Sequence, residues 1–242
     1  MNDEYFVSGH DACQGCGTAL AVRWIAKAAA SQSAIIVSSF GKIQEISNKY
    51  PYTSWRLPIL FAGRKNLGEV MHGAMKGNKK IIGLVGYEEL FENNLQSIIS
   101  LLNKNASFTL ICYDNVGDPR KAKMMKELGF KYVATASIND VNDIYFKIIK
   151  ALETTKTSYI QILTPCPTEW GIMPYDTINM AKQAIETCYY PIFEIDRTTT
   201  LKRIEAKPMH EFIKSQDRFN KIRDEEIELV EQRALNFYKS LL

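Results

Sequence analysis

The order of apolar and polar positions predicts strands and helices in alternation along most of the chain. Short apolar runs rich in β-branched residues are typical of buried strands, and they occur at 34–40, 80–86, 108–113, 132–136, 159–163 and 191–195. Apolar residues at helical spacing follow Cys16 directly and recur at 66–75, 88–103, 118–129, 138–152 and 177–187. One more helix is predicted near the end, where apolar residues share a face: Ile227, Val230, Ala234, Phe237 and Leu241.

Strands that alternate with helices of this length predict an α/β fold, with a mostly parallel sheet and helices on both of its faces. We predict one domain over 1–242, with a polar, helical C-terminal tail from about residue 197. Ligands of such sheets bind beyond the carboxyl ends of the strands. A functional site is therefore expected among the loops that follow Phe40, Val85, Tyr113, Ala136 and Leu163.

Composition and charge restrict the class of function. The chain has 242 residues, of which 46% are hydrophobic and 24% charged, as in ordinary globular proteins. A formal net charge of +3 is too small to indicate a nucleic-acid partner. No apolar run has the length of a membrane span, and the first residues lack the features of a signal peptide. We expect a cytoplasmic protein, whose five cysteines are more often free or metal-bound than disulfide-linked.

A Cys-x-x-Cys pair, Cys13 and Cys16, lies just before the first predicted helix. This spacing brings two sulfur atoms close enough for one metal ion, one iron–sulfur cluster or one disulfide. Gly15 and Gly17 allow the backbone to turn tightly there, and the helix N-terminus favours a thiolate. The residues by themselves leave all three alternatives open.

Several segments, in one order, resemble the β subunit of pyruvate:ferredoxin oxidoreductases and related 2-oxoacid:ferredoxin oxidoreductases. They are GHDACQGCGTALAVRW (9–24), PYTSW (51–55), ICYDN (111–115), YVATAS (132–137), LTPCPTEW (163–170) and, more loosely, KPMHEFIKSQDRF (207–219). The resemblance implies a fold similar to the diphosphate-binding domain of thiamine diphosphate enzymes. It also implies a 4Fe-4S cluster, electron transfer to ferredoxin, and other, α-like subunits that complete the enzyme.

The cluster ligands that the resemblance implies are incomplete. Of four family cysteines, Cys13, Cys16 and Cys166 are matched, whereas the remaining position falls on Lys42. An ammonium cannot replace a thiolate as a ligand. Three cysteines could still hold a cluster with one open iron site, a three-iron cluster, or zinc with a fourth ligand; alternatively they are only packing residues. Cys13, Cys16 and Cys166 are therefore our candidate metal ligands.

The thiamine diphosphate site that the resemblance implies also departs from the family pattern. The family's Mg²⁺-binding aspartate falls on Tyr87, a poor ligand for a hard cation. Asn115 matches the start of the second metal motif, but the loop that should follow it is missing. Gly86 and Asn115 are our candidate cofactor-binding residues, with ordinary turn chemistry as the alternative. We expect the isolated chain not to bind Mg²⁺–thiamine diphosphate measurably.

Two functions remain. In the first, the chain is a β-like subunit whose thiamine diphosphate site is impaired or lost and whose role is structural, regulatory or a remnant of redox chemistry. In the alternative, it is an active β subunit that oxidatively decarboxylates a 2-oxoacid to acyl-CoA and passes electrons to ferredoxin. Tyr87, Lys42 and the missing loop favour the first, and the retained cysteines favour the second or a remnant redox role.

Partners and anion binding can also be predicted. We expect a homodimer or a complex with an α-like chain, and no nucleic-acid or membrane partner. Arg120 and Lys121 begin a predicted helix, where they could bind an anion without a metal. A basic run of this kind is more often a solvated helix face, and we favour that interpretation.

Overall fold

The computed structural model describes residues 3–49, 51–77, 79–154 and 156–242. Its strands are β1 (Ile35–Ser38), β2 (Asn48–Lys49), β3 (Tyr52–Thr53), β4 (Ile59–Phe61), β5 (Ile81–Gly86), β6 (Thr109–Asp114), β7 (Tyr132–Ser137), β8 (Ser158–Leu163), β9 (Phe193–Ile195) and β10 (Thr199–Leu201). Its α-helices are α1 (Gly17–Ser31), α2 (Lys42–Ser47), α3 (Leu67–Ala74), α4 (Leu95–Leu102), α5 (Arg120–Glu127), α6 (Val141–Glu153), α7 (Pro167–Trp170), α8 (Thr177–Glu186), α9 (His210–Lys214) and α10 (Asp224–Lys239).

Eight of the described strands form one sheet in the order β10-β9-β7-β8-β6-β5-β1-β4. The six strands from β7 to β4 in that order are parallel, whereas β9 and β10 add an antiparallel edge. A separate antiparallel hairpin joins β2 to β3. The α/β class and the mostly parallel sheet are thus confirmed.

Helices cover both faces of the sheet, and each face has its own apolar core. Successive residues of a strand point to opposite faces, so Ile36 and Ile82 belong to one core and Val37 and Ile81 to the other. Helices α1, α6 and α8 supply the first core, and α3, α4 and α5 supply the second. The central strands are buried on both sides, which explains why their sequences are nearly continuous apolar runs.

The start of α5 agrees with the predicted helix: the helix begins at Arg120, and the side chain of Asp118 accepts the Arg120 backbone N–H at 3.2 Å. Two local predictions need correction. The sequence suggests only a turn at Gly41 and Lys42, but α2 begins at Lys42. The helix predicted from 88 onward starts as a π-helical turn, Glu89–Asn94, before α4.

The C-terminal segment packs on the body of the molecule. Phe212, Ile213 and Ile227 belong to the first core, and Leu241 belongs to the second. Among the described helices, none is both long and apolar enough to cross a lipid bilayer.

Candidate functional site

The candidate residues gather at the carboxyl edge of the sheet. Strand β1 lies between β4, which follows it in the chain, and β5, which pairs on its other side. The chain therefore reverses its direction of travel across the sheet at β1. The crevice beyond the carboxyl ends of β1 and β5 is a topological switch point, the place where open α/β sheets bind ligands.

The carboxylate of Glu89 lies in this crevice. A Cβ atom added to Gly86 would overlap Glu89 Oε2, and one added to Gly41 would lie 2.5 Å from Glu89 Oε1. Burial raises the pKa of Glu89 above its ordinary value, although the backbone of Lys42 acts in the opposite direction. Gly86, a candidate cofactor-binding residue, is thus packed against an acidic side chain of the same chain.

Tyr87 is bound to a carboxylate. Its hydroxyl donates to Asp118 Oδ2 at 3.0 Å, and Arg120 Nε donates to Asp118 Oδ1 at 2.7 Å. Burial and then the charge of Asp118 raise the pKa of Tyr87 well above its usual range, so the phenol stays protonated. Its ring packs against Phe91, with centroids 4.9 Å apart.

A network joins the other candidate cofactor residue to the position where the resemblance implies a cysteine. Lys42 Nζ lies 2.8 Å from Glu169 Oε1, and the side-chain amide of Asn115 donates to Glu169 Oε2. Trp170 Nε1 donates to the carbonyl oxygen of Asn115. Although burial opposes it, hydrogen bonds from Lys42 and Asn115 hold the pKa of Glu169 below its usual range. The network therefore places two opposite charges, those of Lys42 and Glu169, at the carboxyl edge of the sheet.

Two of the three candidate metal ligands interact electrostatically with the Lys42 ammonium. Cys16 and Cys166 influence each other electrostatically, and both favour the charged form of Lys42. Cys13 is exposed on the turn before Cys16, and its carbonyl oxygen accepts the Cys16 backbone N–H at 3.1 Å. Burial raises the pKa of Cys16, although the backbone N–H groups of Ala19 and Thr18 act in the opposite direction.

No set of three or more His, Cys, Asp or Glu side chains in the described ranges is arranged to hold a metal ion. The structure thus brings Cys16, Cys166 and Lys42 to one place, and Gly86 and Asn115 to neighbouring strand ends.

The short connection after β6 is organised by Asp114, which is fully buried. Its carboxylate accepts the backbone N–H groups of Val116, Gly117 and Asp118 at 3.0, 2.7 and 3.1 Å, and Gln161 Nε2 at 2.6 Å. Burial raises the pKa of Asp114 to about 6 in spite of these donors. The aspartate therefore anchors this strand end.

Sequence reasoning missed three side chains of the site. Glu89 and Glu169 lie beside recognised motifs, but nothing in their spacing shows that they turn inward. Arg218 is the third: its Nη1 donates to the Val116 carbonyl at 3.0 Å, and its guanidinium carbon lies 3.6 Å from the centroid of the Trp170 ring. Arg120 makes its ion pair with Asp118, and Lys121 Nζ lies 5.3 Å from the ring centroid of Phe91.

The chain is similar over almost its whole length to curated proteins of one kind. It is 29% identical to the pyruvate synthase subunit PorB of Methanocaldococcus jannaschii, over 95% of this chain and 94% of that protein. It is 27% identical to PorB of Thermotoga maritima, over 88% and 82% of the two chains. It is 26% identical to the ketoisovalerate oxidoreductase subunit VorB of Pyrococcus furiosus, over 99% and 93%.

A solved structure supports the same fold. A chain of the 2-oxoglutarate:ferredoxin oxidoreductase from Magnetococcus marinus, solved with 2-oxoglutarate, coenzyme A and succinyl-CoA bound, aligns with a TM-score of 0.58 and 19% identity. The alignment covers 69% of each chain. No protein-family model matches the chain. Together with the relatives, the structure confirms the resemblance inferred from the sequence motifs.

Proposed function

We propose that this chain, a relative of the β subunits of 2-oxoacid:ferredoxin oxidoreductases, is a β-like subunit that has kept the fold and lost the thiamine diphosphate site. Its role is then to complete an oxidoreductase assembly structurally or to regulate it. The observation that carries the proposal is the Glu89 carboxylate in the crevice between Gly86 and Gly41. A diphosphate that approached Gly86 would meet a like charge in a space that is already filled.

The ligands that Mg²⁺ would need are also engaged elsewhere. Mg²⁺ takes oxygen ligands in a strict octahedral arrangement. Tyr87 offers a protonated hydroxyl that is bound to Asp118, and the Asn115 side chain is bound to Glu169. The residues present therefore do not fit a magnesium–diphosphate centre.

A 4Fe-4S cluster would also need ligands that these residues do not fully supply. Lys42 presents an ammonium to Cys16 and Cys166 and is held by Glu169 at 2.8 Å. A cluster needs anionic sulfur ligands, and a lysine has only donors to offer. The arrangement does not fit a four-cysteine cluster, and Cys13, Cys16 and Cys166 stay candidates for a site with fewer protein ligands.

The proposal also includes partner subunits. We expect an α-like chain or a second copy of this chain, with ferredoxin as a further candidate, in the cytoplasm. Exposed apolar side chains near the Cys13 turn support an assembly: Met173 is 59% exposed, Tyr175 81% and Ile178 52%. A protein that stays monomeric in light scattering and retains no α-like chain on purification from its native extract would contradict this part.

The alternative is an active β subunit. It is favoured by one observation, the retention of Cys13, Cys16 and Cys166 in a chain that covers nearly all of PorB. In that case the Glu89 carboxylate would have to leave the crevice when the cofactor binds.

Calorimetric titration of the purified chain with thiamine diphosphate and Mg²⁺ separates the two functions. We expect no measurable heat of binding, because the crevice is filled and the metal ligands are engaged. The Glu89→Gln variant, which keeps the side-chain volume without the charge, is the matched control for repulsion alone. Micromolar affinity of the wild-type chain would show that the proposal is wrong and the alternative right.

A further inference from the structure

A cavity of about 220 Å³ lies between the β6–α5 connection and the C-terminal helix α10. Its apolar walls come from parts of the chain that are distant in sequence: Pro119, Tyr189, Phe219, Val230, Ala234 and Phe237. Gly86, Asn115 and the candidate cysteines do not line it. Ligand pockets commonly have volumes of about 300–1,000 Å³, so this cavity suits a molecule at the small end of that range.

Helix α10 is fixed over the cavity by polar contacts with the rest of the molecule. Lys123 Nζ of α5 donates to the carbonyl oxygen of Ser240, just beyond the end of α10, at 3.3 Å. The hydroxyl of Tyr238 accepts the backbone N–H of Ile204 at 3.0 Å. The cavity is therefore a preformed space between packed elements, and a ligand can enter it without reordering the helix.

Two arginines bring positive charge to this apolar space. Arg120 lines the cavity, and its Nε donates to Asp118 Oδ1 at 2.7 Å. A guanidinium has five N–H donors in a fixed fork, so Arg120 retains donors for a second carboxylate. Arg233 lines the cavity from α10, and within the described ranges no carboxylate pairs with it.

The position of these arginines favours an amphipathic ligand. Arg120 and Arg233 are both exposed, whereas Pro119 at the base of α5 is buried. An anionic group held by the arginines therefore stays in contact with water, which avoids the cost of burying its charge. The rest of the ligand can then lie against the apolar walls, where its burial is favourable.

The ionisable side chains that line the cavity have a net charge of +1. Arg120 and Arg233 contribute two positive charges, and Asp118 contributes one negative charge. Burial raises the pKa of Tyr189, so its phenol adds no charge. One surplus positive charge matches a monoanion, whereas a dianion such as a phosphate monoester would leave a negative charge unbalanced.

We propose that this cavity binds a small monocarboxylate whose apolar body is about as large as a benzene ring. The carboxylate accepts hydrogen bonds from the Arg120 and Arg233 guanidinium groups. The apolar body packs against Phe219, Val230 and Phe237. Such a site lies beyond the proposed function and does not depend on whether the chain has kept catalysis.

The test is a titration of the full-length chain with sodium phenylacetate at constant ionic strength, followed by ligand-observed nuclear magnetic resonance and by thermal melting. We expect saturable binding and a melting temperature that rises with phenylacetate concentration, because a ligand of the folded state stabilises it. Phenylacetamide, which has the same shape without the charge, should bind about tenfold more weakly or worse. Inorganic phosphate, which lacks the apolar body, should not displace phenylacetate at equal concentration.

Variants assign the binding to this cavity. Arg233→Gln should weaken phenylacetate binding about tenfold and leave phenylacetamide binding unchanged, because it removes only the charge. Ala234→Leu, which fills the space from the same helix, should weaken the binding of both molecules. Arg56→Gln is the matched control, since it removes an exposed arginine that does not line the cavity, and it should bind phenylacetate as the wild-type chain does. Melting without ligand shows that each variant is folded.

Three results would overturn the inference. The first is the absence of detectable phenylacetate binding to the wild-type chain. The second is equal affinity for phenylacetate and for phenylacetamide or phosphate, since the site would then not select an apolar monocarboxylate. The third is binding that is unchanged in both Arg233→Gln and Ala234→Leu, which would place the ligand elsewhere on the molecule.

Discussion

At the residue scale, Lys42 places a positive charge near two of the three candidate cysteines. Its ammonium lies 2.8 Å from Glu169 and acts on Cys16 and Cys166. Glu169 also accepts a hydrogen bond from the side chain of Asn115, which follows β6. Lys42 is therefore linked through Glu169 to the end of β6. Replacement of the Lys42 side chain therefore tests directly whether the surrounding residues can hold a cluster.

The Lys42→Cys variant should bind more iron and sulfide than the wild-type chain. It supplies a third thiol beside Cys16 and Cys166 and removes the opposing charge, so that four cysteines are available in all. Iron, sulfide and visible absorbance after anaerobic reconstitution measure the gain. Lys42→Gln is the control, since it removes the charge without adding a ligand. Equal cluster content in the two variants would contradict this prediction.

Asp114 gives the site a pH dependence with a definite sign. Its pKa of about 6 in the fold lies above the ordinary value of 3.8, so the folded chain retains a proton that the unfolded chain has released. The resulting stabilisation is present at low pH and is lost as the pH rises through 6. Between about pH 5 and 7.5 the wild-type chain should lose about 1 kcal/mol of unfolding free energy relative to Asp114→Asn. Urea titrations at both pH values measure the unfolding free energies of the two proteins. A wild-type chain that gains unfolding free energy relative to Asp114→Asn over this range would refute the prediction.

At the scale of elements, the C-terminal segment fixes the connection between β6 and α5. Arg218 stacks on Trp170 of α7, donates to the Val116 carbonyl at 3.0 Å, and donates to Gln216 Oε1 at 2.8 Å. Three parts of the chain that are distant in sequence thus meet at one guanidinium. The planar group is essential, because an ammonium cannot stack and donate in two directions in the same way.

Arg218→Lys should therefore destabilise the chain although the charge is conserved. Loss of the stacking and of a partly buried hydrogen bond should cost about 1–2 kcal/mol. Urea unfolding followed by tryptophan fluorescence measures the cost. Arg223→Lys, whose side chain is 72% exposed, is the control and should change the unfolding free energy by less than about 0.5 kcal/mol. Equal effects of the two substitutions would show that Arg218 is not a structural anchor.

At the scale of the whole molecule, the pattern of the sequence predicts the central strands of the sheet but not the site. The strands β5, β6 and β8 are buried on both faces, so their apolar runs identify them without knowledge of their neighbours. The edge strand β4 has three residues and was missed, because so short a segment carries little periodic signal. The Cys-x-x-Cys turn was visible from spacing, whereas the direction of Glu89 depends on a π-helical turn and on tertiary packing.

The two cores share every central strand, and the C-terminal segment contributes to both. We therefore predict that residues 1–242 unfold as one cooperative unit. Far-ultraviolet circular dichroism and tryptophan fluorescence should give coincident urea transitions. A separate early transition of the segment beyond about residue 197 would contradict the single-domain prediction.

The Glu89 carboxylate between two glycines has a consequence for competition. The carboxylate is linked to the crevice through the polypeptide chain, and short links hold a group at effective concentrations on the order of millimolar or more. A free anion must exceed that local concentration, weighted by the relative affinities, before it can enter. Mutations that lengthen or redirect the π-helical turn should therefore change the anion concentration needed to displace the Glu89 carboxylate.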